Sequence, residues 1–243
     1  VVYAACLDYE GIMLTTTQEQ QLHLTTRRLD THPIDVLIVG ATGSGKTTTL
    51  QALLPKKLRK RANKHPTLPD MKKMHAYRIH PHLRMWEPIP PDSLTLKNEQ
   101  LYEKEIINTL QYAYPYKDNH YAFIDMVVIV IDGSSRDIGT AINLINHTLL
   151  PYFPIERIVV AINQADRAMK GRHWDTLLNE PYPPLQHYLI HQANTIKHRL
   201  SASCSESFPT PIYYSARYHY HLQVLLDALI DTLPTEKRKI VLS

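Results

Sequence analysis

Eight consecutive residues, Gly40-Ala41-Thr42-Gly43-Ser44-Gly45-Lys46-Thr47, constrain this chain more than anything else in it. They follow Ile34-Asp35-Val36-Leu37-Ile38-Val39, a nearly continuous apolar run that predicts a strand covered on both faces. They precede Thr48 to Leu54, a stretch compatible with a helix. Strand, glycine-rich turn and helix in that order, with Gly-Lys-Thr closing the turn, predict a phosphate-binding loop. Each residue type has a task there. The glycines let the backbone curl and bring its N–H groups against phosphate oxygens. Lys46 places a cation near the β- and γ-phosphates, and the Thr47 hydroxyl suits Mg²⁺. The following helix, Thr48 to Leu54, aims its positive end at the anion. The chain has only 7 glycines; Gly40, Gly43 and Gly45 all fall in this turn, which argues against a chance match.

The rest of the chain repeats the grammar of apolar strand and amphipathic helix. Strands are expected at Met126 to Ile131, Arg157 to Ile162 and Pro211 to Tyr214. Helices are expected from about Ile138 to Leu150, Leu185 to Leu200 and Leu222 to Leu233. This alternation predicts an α/β fold, a mostly parallel central sheet flanked by helices. A short helix from Thr17 to Leu29, with Leu22, Thr25, Thr26 and Leu29 on one face, stands ahead of it, and Thr31-His32-Pro33 marks a boundary. The expected divisions are an N-terminal helical extension over 1–33, a nucleotide-binding domain over 34–233 and a C-terminal tail over 234–243.

With 243 residues, 44% of them hydrophobic and 21% charged, the chain can bury a large core and is not a disordered one. A net charge of +4 permits an anionic partner without requiring one. Cys6 and Cys204 are too few and too distant for a disulfide framework, which fits a reducing, cytoplasmic setting. No leader peptide is visible, and Phe123 to Ile131, interrupted by Asp125, is too short to span a bilayer.

The base is read beyond Arg157 to Ile162, at Asn163-Gln164-Ala165-Asp166. An Asp carboxylate can accept hydrogen bonds from the N1–H and exocyclic amine of guanine, a pattern adenine does not offer. Asn163 can tie this loop to the P-loop, and the Gln164 stem can lie against the ring. After the last strand, Ser215-Ala216-Arg217 provides a third loop, whose Ala216 amide would close over the base. Order and placement match: three loops, each at the end of an apolar strand, where ligands bind in parallel sheets.

On these motifs the chain resembles the bacterial Era-like GTPases of the translation-factor-related class, with kinship to the immunity-related GTPases, over about Ile34 to Leu233. Gly171-Arg172-His173-Trp174-Asp175 adds an aromatic and acidic stretch that similar bacterial GTPases show. The resemblance implies a G domain that binds GTP and GDP with Mg²⁺ and hydrolyses GTP slowly. It implies nucleotide contacts from Gly40 to Thr48, Asn163, Gln164, Asp166, Ser215, Ala216 and Arg217. Lys46 and Thr47 are the catalytic candidates, and Thr47 and Thr67 the Mg²⁺ ligands.

One family element departs. Such GTPases carry Asp-x-x-Gly after the third strand, where Leu83-Arg84-Met85-Trp86 is followed by Glu87-Pro88-Ile89-Pro90-Pro91-Asp92. If Glu87 takes the Asp place, Pro90 or a neighbour takes that of the glycine, and proline has no N–H for a γ-phosphate. No glutamine stands in the water-orienting place. Three readings stay open: a slow GTPase switch, a pseudo-GTPase binding module without turnover, and a P-loop ATPase. Met126 to Asp132 also fits a Walker-B strand with Asp132 as Mg²⁺ partner; its place as fourth strand is expected to keep it away from the P-loop strand. The basic run Lys56-Lys57-Leu58-Arg59-Lys60-Arg61-Ala62-Asn63-Lys64 suits RNA, the ribosome or an anionic surface, but without interleaved aromatics it reads first as a solvated loop. A protein effector or regulator is implied without being identified. The pairs His80/His82, His187/His191 and His219/His221 lack companion metal ligands and read as surface or packing residues.

Overall fold

Strand β1, Ile34–Val39, is buried at every position because sheet and helices cover it from all sides. The computed structural model of the chain describes residues 14–30, 33–54, 74–89, 96–116, 118–135, 138–204 and 207–240. Alternate residues of β1 face opposite cores, Val36 and Ile38 one way, Leu37 and Val39 the other. Beside β1 runs β3 (Leu83–Pro88), and beyond it β2 (Met74–His80), the one antiparallel member. On the other side come β6 (Met126–Asp132), β7 (Ile158–Asn163) and β10 (Ile212–Tyr213), so the sheet has six strands in the order β10-β7-β6-β1-β3-β2. The hairpins β4/β5 (Ala113–Tyr116, Asn119–Ala122) and β8/β9 (Trp174–Asp175, Glu180–Pro181) stand apart from it.

The expected parallel α/β sheet is therefore present, with one correction. The strand at Met126 was expected away from the P-loop strand, yet β6 pairs with β1 in parallel, Val36 opposite Met126 through Val39 opposite Ile129. Order along the chain does not dictate order in a sheet. The path from β3 through helix α3 (Leu96–Gln111) and the β4/β5 hairpin carries the next strand to the far side of β1.

Helix α1 spans Thr16–Leu29, opened by a capping box between Thr15 and Gln18. Its predicted face, Leu22, Thr25, Thr26 and Leu29, is buried. It packs on α6 (Leu222–Asp231): Gln18 Nε2 donates to Asp227 Oδ1 at 2.6 Å, and Gln223 Nε2 donates to Gln18 Oε1 at 3.0 Å. Helix α2 is Lys46–Leu53. The helix expected at Ile138 is a short α4 (Gly139–Asn143) that widens into a π-helical turn over Leu144–Leu149. Helix α5, Pro183–Cys204, overruns its expected bounds at both ends. Residues set aside as a tail join β5 instead: Ala122 N donates to the Arg238 carbonyl at 2.8 Å and Ile240 N to the His120 carbonyl at 3.0 Å.

At the amino-terminal end of the central strands two carboxylates are buried, Asp35 in β1 and Asp125 just ahead of β6. Asp35 accepts from Arg84 Nε and Trp86 Nε1, both at 2.6 Å, and Asp125 Oδ2 accepts from the Asp35 amide at 2.9 Å. Burial pushes the Asp125 carboxyl up to about 7, its amide bond from Asp35 pulling the other way. Among the described residues no helix is long and apolar enough to cross a membrane.

Candidate nucleotide site

The predicted loop leaves the carboxyl end of β1 and curls into α2. Gly40 must be glycine: a Cβ there would lie 2.2 Å from the Val130 carbonyl of β6, and its φ of +148° is strained for other residues. Gly45, at φ +90°, caps α2, and a Cβ on it would strike Asn163 Nδ2 at 2.2 Å. The loop is thus pressed against β6 on one limb and the Asn163 loop on the other.

Lys46 folds back into the curl, its ammonium donating to the Gly40 and Ala41 carbonyls at 2.9 and 3.0 Å. Burial lowers its pKa and the Glu87 charge raises it. Thr47 Oγ1 donates to Glu87 Oε1 at 2.7 Å, while Tyr77 Oη donates to Oε2 at 3.2 Å. Glu87 is only 2% exposed. The strand on the other side of β1 ends differently: Asp132 Oδ1 accepts from the amide and hydroxyl of Ser134, at 2.8 and 2.7 Å, and closes its own turn. Although β6 does adjoin the P-loop strand, the carboxylate that meets Thr47 is Glu87.

A hydroxyl and a carboxylate side by side are hard oxygen ligands, and they fit Mg²⁺, which takes one or two protein oxygens and completes its shell with phosphate and water. Thr47 and Glu87 would hold it. Among the described residues no group of three or more His, Cys, Asp or Glu is placed to hold a metal by itself. His80 and His82 stand 5.5 Å apart between ring centres, and His221 stacks on Tyr220 at 3.9 Å. Thr67, Pro90 to Asp92 and the basic run from Lys56 lie outside the described residues.

The loops after β7 and β10 converge on the P-loop. Asn163 ends β7, 2% exposed. Its Nδ2 donates to the Ser44 carbonyl at 2.9 Å and its Oδ1 accepts from the Ala216 amide at 3.0 Å. One side chain thereby joins the P-loop, its own loop and the loop after β10. Gln164, in the left-handed region at φ 64°, donates from Nε2 to the Gly43 carbonyl at 2.8 Å and accepts from Arg167 Nη1 at 2.6 Å. Its side chain serves as a second tie to the P-loop. Asp166 Oδ1 accepts from Ser215 Oγ at 2.6 Å, which fixes the carboxylate plane and leaves lone pairs on both oxygens. The Ala216 amide, expected to close over the base, points at Asn163. Arg217 lies over the Tyr218 ring, 5.3 Å from its centre, and Trp174 packs on Tyr218 and Tyr220. Trp174 thus belongs to the support of this third loop.

Residues that the sequence did not mark complete the surroundings. Tyr77 buttresses Glu87. Tyr102 of α3 sets its ring 6.0 Å from the Lys46 ammonium. Neither carries a motif, since each reaches the site only through sheet pairing or helix packing.

The chain matches no family profile and no curated protein sequence. Solved structures share its architecture. Toc33 from Arabidopsis thaliana, in complex with Mg²⁺ and GMPPNP, superposes with a TM-score of 0.53 at 12% identity, over 95% of this chain and 98% of that one. The bacterial dynamin GTPase LeoA from ETEC gives 0.52 at 12% identity, over 92% and 40%. A variant of SsGBP gives 0.51 at 15% identity, over 90% and 65%. The chain spans 33%, 65% and 55% of the first three structures it matches. What the chain shares with these structures is the fold, a mostly parallel six-stranded sheet flanked by helices.

Proposed function

We propose that this chain is a guanine-nucleotide-binding G domain that turns over GTP slowly and works as a switch. The observation that carries the reading is the Asn163 bridge, with Asp166 held by Ser215 beside it. A chance Asn-Gln-Ala-Asp cap has no reason to grip both the P-loop and the loop after β10, whereas a base-reading assembly requires it. The Asp166 carboxylate accepts from guanine N1–H and its amine; adenine presents no such pair of donors. Phosphates lie over the loop from Gly40 to Thr48, where Lys46 exchanges its carbonyl partners for phosphate oxygens. Mg²⁺, when bound at Thr47 and Glu87, offsets charge on the transferring phosphoryl group.

Slow turnover follows from the second switch. Glu87 stands where family members have Asp, and the Pro88-Ile89-Pro90-Pro91 run offers few amides to a γ-phosphate. The Era-like, translation-factor-related class is our finer reading, supported by Asn163 to Asp166 and Ser215 to Arg217. Two distant cysteines favour a reducing compartment such as the cytoplasm. The test is titration with fluorescent GTP, GDP and ATP analogues in Mg²⁺, with phosphate release followed in the same samples. Guanine selectivity with slow release supports the reading. Guanine selectivity without release makes the chain a pseudo-GTPase, and preference for ATP overturns the base assignment.

A further inference from the structure

Helix α3 and the helical segment after β6 border an open cavity of about 350 Å³ against the Gly40-Ala41-Thr42 limb of the P-loop. The opposite limb, Gly43 to Gly45, is the one Asn163 and Gln164 grip. If the base enters beside Asn163, the polyphosphate runs past Lys46 and ends on the limb that faces this cavity. Tyr102 lines it, and its buried hydroxyl has the Gly40 amide beside its oxygen but no acceptor for its hydrogen. Native proteins rarely leave such a group unsatisfied, since burying it without a partner costs stability. A partner supplied by a ligand removes the anomaly.

We propose that the Tyr102 hydroxyl binds the terminal phosphate of a bound nucleoside triphosphate and so sets the preference of this site for tri- over diphosphate. This rests on the G-domain reading above. Burial, and then the Glu87 charge, push the Tyr102 phenol upward, so it stays protonated and donates. The backbone of Gly40 beside it pulls weakly the other way. Of the described α3 residues on the cavity, Glu99 and Glu103 are carboxylates and only accept, so Tyr102 is the donor among them.

The test is the affinity of wild type and Tyr102→Phe for GDP and for a non-hydrolysable GTP analogue, both with Mg²⁺. Phenylalanine keeps the ring and removes the orphan hydroxyl, so the unliganded variant is expected to melt no lower than wild type. The analogue should bind about 10-fold more weakly, as for loss of one hydrogen bond to a charged group, with GDP unchanged. Equal losses for the two nucleotides, no loss for either, or loss of GDP binding with a lowered melting temperature would each overturn the role of Tyr102. A wild-type protein with no affinity for either nucleotide overturns the G-domain reading as well, which separates the two failures.

Discussion

Replacing Asn163 by alanine removes one side chain and two hydrogen bonds at once, to the Ser44 carbonyl and from the Ala216 amide. Both residues are buried, Ser44 completely and Ala216 nearly so. Each stranded backbone group costs about 1–3 kcal/mol, and partial entry of water into the vacated space offsets some of that, so the expected loss is about 3 kcal/mol. For a chain of this length that lowers the melting temperature by roughly 6–12 °C. Urea unfolding of unliganded wild type and variant gives the free-energy difference directly, with the slope as a check that the unfolded states match. Asn163→Asp is the companion. It keeps the acceptor for Ala216 but sets a carboxylate oxygen against the Ser44 carbonyl, so it should recover little. A loss below about 1 kcal/mol, an ordinary effect for a point substitution, would mean the three loops hold their places without Asn163. The account of the site as a bridged assembly would then be wrong.

Lys46→Ala should weaken GDP binding about 100-fold, because the phosphates lose a charge-assisted donor, and unchanged affinity in the same fluorescence titration would remove the P-loop from the site. Asp166→Asn should exchange guanine for xanthine preference, since the amide presents a donor where xanthine presents an acceptor; competition by xanthosine triphosphate that is no better than in wild type contradicts it. Asp125 supplies a pH test. Its folded pKa of about 7 exceeds the unfolded value, so the native state holds the extra proton. The associated stability is full below about pH 4 and is lost as pH rises toward 7, with no further change above. Melting temperatures of wild type relative to Asp125→Asn should fall across that window, and parallel profiles would show that Asp125 does not titrate there.

Much of the site was legible because its chemistry is local. The P-loop declares itself through glycines that no other residue can replace against Val130 and Asn163. Asn163 to Asp166 and Ser215 to Arg217 stand at strand ends where the pattern places them. The buried strands β1, β6 and β7 are apolar nearly throughout and could not be mistaken. What escaped notice is what depends on distant packing. Strand β2, Met-His-Ala-Tyr-Arg-Ile-His, is a sheet edge with exposed positions, so its apolar signal is diluted. Helix α3 is rich in charge, and Tyr102 within it looks like any core tyrosine. The placement of β6 beside β1 follows from a crossover, and no residue in either strand states it. The Ala216 amide illustrates the same limit: its loop was found, but its partner, a side chain in another loop, was decided by geometry.

The Asn163 bridge has a consequence for how the protein comes to exist as a binder. Its bonds join residues 119 and 53 positions apart, and Gln164 reaches back 121 positions to Gly43. Contacts of such separation carry a loop-closure cost and need the intervening strands in place to hold their geometry. A partly folded or unfinished chain therefore carries the P-loop sequence but no assembled site, and has little grip on nucleotide. Ligand then selects the completed fold alone and draws the folding equilibrium toward it by mass action. On the reading proposed here, the cellular pool of nucleotide helps decide how much of this protein is folded, before any switching begins.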